Sequence, residues 1–441
     1  MIRNRESLAG TRARELILDC FETGIVAGDP ERLLPDVVGV DGDVLVIDEE
    51  RINLEEFSEV IVLGGGKAAV RQAVALETVL GGHIDGGVVV TNGPAHGPND
   101  IDVLPGDHPV PSEQGARSTD ALLEMATAAG PDTLILVPIS GGGSALLVAP
   151  AGNITVQDLA ALNEQLLASG ATIEEMNAVR KHVSRIKGGG LARAAAPARV
   201  VSLVMSDVIG DDLAVIASGP TAPDPTTFAD AVAVLARYDI DAPTRVADHL
   251  QSGVAGAVDE TPSAGESAFD RVSNYVIAGS DTAMRAAESV VLENGITCLP
   301  LSARIRGEAR EAAKTQLAIG EEILASGRPI EPPCVILSGG ETTVTLRGDG
   351  TGGPNHEFAL SAAIDCEAGI TLGAIDTDGI DGAAPTAGGL VDSSTVEDHR
   401  AAREALADND SFPYLRDRHA VVETRQTGTN LNDFRVLVVE D

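Results

Sequence analysis

Four short runs of Val, Ile and Leu, at 59–63, 87–91, 133–139 and 200–205, are separated by stretches of helical periodicity, and none alternates strictly between apolar and polar residues. A sheet with one wet face would impose such alternation, so these runs predict strands buried on both faces. The helical stretches 67–80, 113–129 and 155–186 supply the crossovers that parallel strands require. The N-terminal half is therefore expected to be α/β, a doubly wound, Rossmann-like parallel sheet preceded by a helix near 7–26.

Between Gln251 and Ser267 the chain turns Ser-, Gly-, Ala- and acid-rich and loses periodicity. That shift predicts a boundary, with one domain over 1–255 and a second over 268–441. In the second, Tyr275–Ser280, a helix over 281–294 and Ile296–Leu301 suggest a β-α-β unit, and 333–338, 342–346, 371–376 and 434–439 suggest further strands. Two α/β domains favour a ligand at the carboxyl ends of strands, in a crevice between them.

The 441 residues carry a formal charge of −36, with a pI near 4.4. Such a field repels nucleic acid and anionic lipid, so small anionic substrates need local positive sites. Acids outnumber bases 67 to 31, and four of those bases are lysines. This composition suits a halophile, whose salt screens the self-repulsion. Cys20, Cys298, Cys334 and Cys366 have neither disulfide nor zinc spacing. The polar start and the lack of a long apolar run predict a cytoplasmic protein without a membrane segment. A homo-oligomer is compatible with all of this.

Scarcity makes Lys67 conspicuous. It ends Gly64-Gly65-Gly66 after the strand at 59–63 and opens a helix, which is where backbone N–H groups and an ammonium can meet a phosphate or carboxylate. Ser140-Gly141-Gly142-Gly143-Ser144 follows another strand and offers a second nest with two hydroxyls. Arg180, Lys181, His182, Arg185 and Lys187 run into Gly188–Gly190. Asp207, at the end of the 200–205 strand, is placed to hold Mg²⁺ on nucleotide phosphates, whereas Asp211 and Asp212 suit a helix cap. Asp376, Asp378 and Asp381 suit either a metal and substrate hydroxyl or a surface turn. Arg347, amid glycines, can grip a carboxylate or phosphate through two parallel hydrogen bonds. His108, ahead of two prolines, suits either a donor to substrate or a loop-packing residue.

Gly64–Ala69, Gly106–Pro111, Ser140–Leu146, Asn177–Lys187, Ser218–Thr221, Leu337–Thr345 and Thr377–Gly382, in unbroken order, closely resemble the ATP-dependent glycerate 2-kinase family. Some relatives have been called hydroxypyruvate reductases, and the C-terminal half of the family is a MOFRL domain. The resemblance implies transfer of the ATP γ-phosphoryl group to D-glycerate, a divalent cation such as Mg²⁺, and an active site in the interdomain cleft. On this sequence the matching lysine is Lys67 and the matching arginine Arg347. Where the family commonly has Gly-Gly-Arg-Asn-Gln-Glu, this chain has Gly352-Gly353-Pro354-Asn355-His356-Glu357, which keeps Asn355 and Glu357 as binding candidates.

Lys67, Arg347, Asp207 and Asp378 are thus the expected catalytic residues, and Asp207, Asp378 and Asp381 the expected metal ligands. The expected phosphate and substrate contacts are Gly64–Gly66, His108, Ser140–Ser144, Arg180, Lys187, Asn355 and Glu357. Two rivals stand: an NAD(P)-dependent hydroxypyruvate reductase and a non-catalytic sugar-phosphate-binding protein. Against the first, the strand at 87–91 ends in Asn92, without the acid that grips a nucleotide ribose.

Overall fold

A computed structural model of the chain describes residues 1–93 and 97–440 and divides into two compact α/β units. The N-terminal unit spans Pro30–Ser206 and Asp211–Ile277; the C-terminal unit comprises Met1–Asp29, Asp207–Gly210 and Ala278–Asp441.

The N-terminal unit begins with an antiparallel meander of β1 (Val38–Asp41), β2 (Val44–Ile47) and β3 (Glu50–Asn53). Its main sheet contains β4 (Glu59–Gly65), β5 (Gly86–Thr91), β6 (Asp102–Pro105), β7 (Thr133–Ile139), β8 (Arg199–Met205) and β9 (Val272–Ala278). Their order is β6-β5-β4-β7-β8-β9, and the pairings of β4 with β5 and β7, β5 with β6, and β7 with β8 are parallel. All seven residues of β7 are buried, as expected of a strand covered on both faces. The expected helix over 155–186 is two helices, Val156–Ala168 and Ile173–His182. Gly170 turns the chain at φ +77°, and Thr172 with Glu175 forms a capping box that starts the second helix.

The C-terminal unit holds β10 (Thr297–Glu308), β11 (Cys334–Thr343), β12 (Ile370–Asp376), β13 (Gly388–Asp392), β14 (Val421–Val422) and β15 (Asp433–Val439), in the order β10-β11-β15-β12-β13-β14. This sheet is mixed: β10 runs parallel to β11, and the other pairings are antiparallel. The helix Arg12–Ala27 belongs to this unit rather than to the sheet that follows it in sequence. Its Phe21 is buried edge-on against Phe434 at 5.8 Å, and the lack of a side chain at Gly373 leaves room for Ile17 and Phe21. Burying that ring alone contributes on the order of 2–3 kcal/mol.

Two expectations change. The β-α-β unit at 275–301 does not form, because β9 and β10 lie in different sheets. Arg199 ties β9 to the first sheet, donating to the Arg271 carbonyl at 2.8 Å and to Ser273 Oγ at 2.6 Å, while Asn274 Oδ1 accepts from Thr221 Oγ1 at 2.6 Å. The Gln251–Ser267 stretch lies within the N-terminal unit, and the division near its end falls at Ile277/Ala278. Polar composition marked a surface segment there; the hydrogen bonds that hold β9 to the N-terminal unit go with the division.

Candidate active site

The two glycine turns of the N-terminal unit clasp each other at the carboxyl ends of β4 and β7. Lys67 N–H donates to the Gly141 carbonyl at 2.9 Å, Ala68 N–H to Ser140 Oγ at 2.9 Å, and Ser140 N–H to the Gly65 carbonyl at 3.3 Å. Gly66 N–H is taken by Val90 O. The N–H groups of residues 66–68 are therefore spent on protein. That corrects the expectation that Gly64, Gly65 and Gly66 cradle an anion. Their smallness serves the clasp: a Cβ on Gly64 would strike Pro138, and one on Gly66, at φ +142°, would strike Ser140.

What faces outward is built from side chains. A Cβ on Gly142, which lies at φ +79°, would stand 3.1 Å from Lys67 Cγ and 3.1 Å from His108 Cδ2. The structure thus brings Lys67, His108 and the Gly141–Gly143 turn together, with Lys67 partly exposed and His108 exposed. Ser140 is buried under the clasp, while Ser144 is partly exposed and its Oγ lies 2.7 Å from Ser218 Oγ. Ser218 Oγ donates to Asn177 Oδ1 at 3.0 Å.

The basic segment divides by role. Arg180 places Nε and one terminal nitrogen on Asn163 Oδ1, at 2.9 and 2.5 Å, and burial lowers its pKa. Lys181 forms a buried ion pair with Asp224 at 3.2 Å. Lys187, expected to touch ligand, is buried instead; its Nζ donates to the carbonyls of Ser144 at 2.6 Å and Leu147 at 3.1 Å. Desolvation, and then the charge of Arg180, lowers its pKa to about 7. It braces the turn from behind.

In the C-terminal unit the predicted acids also separate. Asp381 accepts from the backbone N–H groups of Asn355 at 3.0 Å and His356 at 2.8 Å, and also contacts the His356 ring. It caps the helix Pro354–Asp365, so both oxygens are committed and the expectation of a metal ligand there is corrected. Asn355 and Glu357 are buried rather than ligand-facing. Asn355 Nδ2 donates to Asp433 Oδ1 at 2.7 Å. Glu357 accepts from Arg310 at 2.8 Å and from Asn409 Nδ2 at 2.6 Å. Asn409 Oδ1 in turn accepts the N–H groups of Arg347 at 2.6 Å and Gly348 at 3.1 Å. The side chain of Arg347 is left exposed on that anchored loop.

Asp207 accepts from Asn430 Nδ2 at 3.0 Å, and its carbonyl accepts from Asn432 Nδ2 at 2.6 Å. Asp378 Oδ1 accepts from Ile380 N–H at 2.9 Å. Asp376, one of the three acids offered for a metal or a substrate hydroxyl, and Asp433, which the sequence did not single out, shape this end of the unit. The Asp376 carboxyl is pushed well above the usual range by desolvation, then by Asp378 and Asp433; that of Asp433 is raised by burial against the opposing pull of Arg435. Among the described residues no group of three or more His, Cys, Asp or Glu is arranged as a metal cage.

Sheet and turn define a two-unit α/β protein of the strand, glycine turn and helix kind, with an ammonium and an imidazole at the mouth of the turn. Residues 16–251 match a domain of unknown function, DUF4147, and residues 334–433 match the MOFRL family. A glycerate 2-kinase from Pyrococcus horikoshii is 37% identical over 437 residues, covering 97% of each chain. A D-glycerate 2-kinase from Thermotoga maritima is 37% identical over 428 residues, covering 95% of this chain and 97% of its own. A 40% identical relative from Agrobacterium vitis, over 97% of this chain and 94% of its own, bears the name "Putative hydroxypyruvate reductase". Among solved structures, the Thermotoga maritima glycerate kinase superposes with a TM-score of 0.83 at 35% identity, covering 96% of this chain and 99% of that one. The chain, whose DUF4147 region precedes its MOFRL region, belongs to the glycerate 2-kinase family. No helix among the described residues is long and apolar enough to cross a membrane.

Proposed function

We propose that the protein transfers the γ-phosphoryl group of ATP to D-glycerate, giving 2-phosphoglycerate and ADP. The observation that carries this reading is the convergence of Lys67 and His108 on Gly142 at the strand ends, in a chain that matches glycerate 2-kinases along nearly its whole length. Phosphoryl transfer asks chiefly for in-line positioning and neutralisation of charge on the moving group. Lys67 would supply that charge beside a turn braced by Lys187. His108 would donate to a phosphate oxygen, and Arg347 would grip the glycerate carboxylate. As the glycerate oxygen bonds to phosphorus and the bond to ADP breaks, the hydroxyl proton passes to a carboxylate, for which Asp207 and Asp378 are the candidates. Either would also hold nucleotide-borne Mg²⁺, which when bound screens the phosphate charge. Such an ATP-consuming step would run in the cytoplasm.

The reductase reading has the name of the Agrobacterium relative in its favour. In this chain β5 ends at Thr91, whose hydroxyl accepts from Gly93 N–H at 3.1 Å, with no acid at Asn92 to bind a ribose. Parallel assays separate the two. ADP release with D-glycerate, without NADH oxidation by hydroxypyruvate, supports the kinase, and the reverse pattern refutes it.

A further inference from the structure

Asn409 holds the Arg347 segment with both polar atoms of its side chain. Its Oδ1 accepts the backbone N–H groups of Arg347 at 2.6 Å and Gly348 at 3.1 Å, and its Nδ2 donates to Glu357 Oε1 at 2.6 Å and to the Thr345 carbonyl at 3.3 Å. A backbone N–H only donates and a backbone carbonyl only accepts, so the amide has one orientation. The residue is buried, 3% exposed, and stands at φ +57°, a left-handed backbone that asparagine tolerates better than most residues.

A second clamp grips the same segment from its other side. The Glu308 carboxylate accepts Thr345 N–H at 3.1 Å and Thr345 Oγ1 at 3.0 Å. Arg310 joins the two clamps, its Nε 3.4 Å from Glu308 and a terminal nitrogen 2.8 Å from Glu357. The N–H groups of Arg347 and Gly348 flank the Arg347 Cα on either side. Drawing both onto one oxygen sets the backbone angles of Arg347, and with them the direction in which its side chain leaves. The guanidinium stays outside the network: it is exposed and makes no hydrogen bond or ion pair among the described residues, in a chain of 67 acids. A planar fork that grips an anion through two parallel bonds depends on its aim.

We infer that Asn409 is a positioning residue for Arg347, fixing the backbone from which the guanidinium reaches the carboxylate of the acceptor substrate. This rests on the proposed glycerate 2-kinase activity, and it makes the segment around Arg347 a preorganised arm.

The test is a double-mutant cycle read by calorimetric binding of D-glycerate to the whole protein, with no turnover required. Calorimetric stoichiometry counts the folded fraction, so lost stability lowers the stoichiometry and leaves the affinity to report aim. Asn409→Gly suits the left-handed backbone but removes the amide, and should weaken D-glycerate about tenfold. Arg347→Ala should weaken it about tenfold or more. With both substitutions the affinity should match that of Arg347→Ala alone, because an arm without its guanidinium has nothing left to aim. Asn409→Asp keeps an acceptor for the two N–H groups but sets a carboxylate against Glu357, so it should bind weakly. Adding Glu357→Gln turns that contact back into a donor and an acceptor and should recover most of the affinity; this pair decides the matter if Asn409→Gly does not fold. Additive losses in the cycle, wild-type affinity in Asn409→Gly, no recovery with Glu357→Gln, or no binding by wild type overturns the inference. Wild type that shows the cycle but releases no ADP would instead refute the kinase reading and leave the positioning role standing.

Discussion

The ammonium of Lys187 reaches 2.6 Å from the Ser144 carbonyl, tying a buried charge to the turn whose outer side meets Lys67. One lysine supports that turn and another faces outward beside it.

The support predicts a pH dependence. The Lys187 pKa falls from 10.5 to about 7 on folding, so between those values the unfolded chain binds more protons and stability contributed by this group rises with pH. Below about pH 7 both states are protonated, and the burial penalty is felt in full. The effect is on the order of a few kcal/mol across the window. Melting curves of wild type and Lys187→Met at pH 6.5 to 10 should show wild type gaining on the variant as pH rises; a constant gap contradicts the assignment.

Lys67→Ala should leave the melting temperature within a degree or two of wild type, since the side chain is partly exposed, while kcat falls on the order of 10³-fold. Near-normal turnover would remove Lys67 from the chemistry.

Asp381→Ala should behave as a lost helix cap. Its two oxygens serve the N-terminus of Pro354–Asp365, so the variant should lose about 1–2 kcal/mol or more in denaturant unfolding. Its Mg²⁺ requirement in the kinase assay should be unchanged. A shifted Mg²⁺ dependence with intact stability would restore the metal-ligand role.

Arg347 and Glu357 should separate in the opposite sense. Arg347→Ala, on an exposed side chain, should raise the KM for D-glycerate about tenfold or more and leave stability unchanged. Glu357→Ala removes a buried carboxylate that Arg310 and Asn409 both donate to and should cost about 3 kcal/mol in unfolding free energy. If the two variants show the same kinetic and thermal profile, the division between ligand grip and loop anchor fails.

The parallel core was legible because period and burial are local properties: β4, β5, β7 and β8 lie where their apolar runs placed them. The short β14 and glycine-rich β13 carried no such signal, and the fate of β9 depended on Arg199, Glu50 and Tyr275, residues distant in sequence. At the site, glycine turns and scarce lysines marked the right neighbourhood but not the direction each group faces. Gly64–Gly66 resembled an anion cradle by composition and became a clasp through pairing with Ser140 and Gly141. Lys187 and Asp381 likewise resembled ligands until their buried partners were seen.

The central claim concerns where the phosphoryl group lands, and enolase reports that directly. With ATP, Mg²⁺ and D-glycerate, product fed to enolase without a phosphoglycerate mutase should yield phosphoenolpyruvate at once and in proportion to ADP released. ADP released with no phosphoenolpyruvate until mutase is added would place the phosphoryl group on a different oxygen and contradict the account.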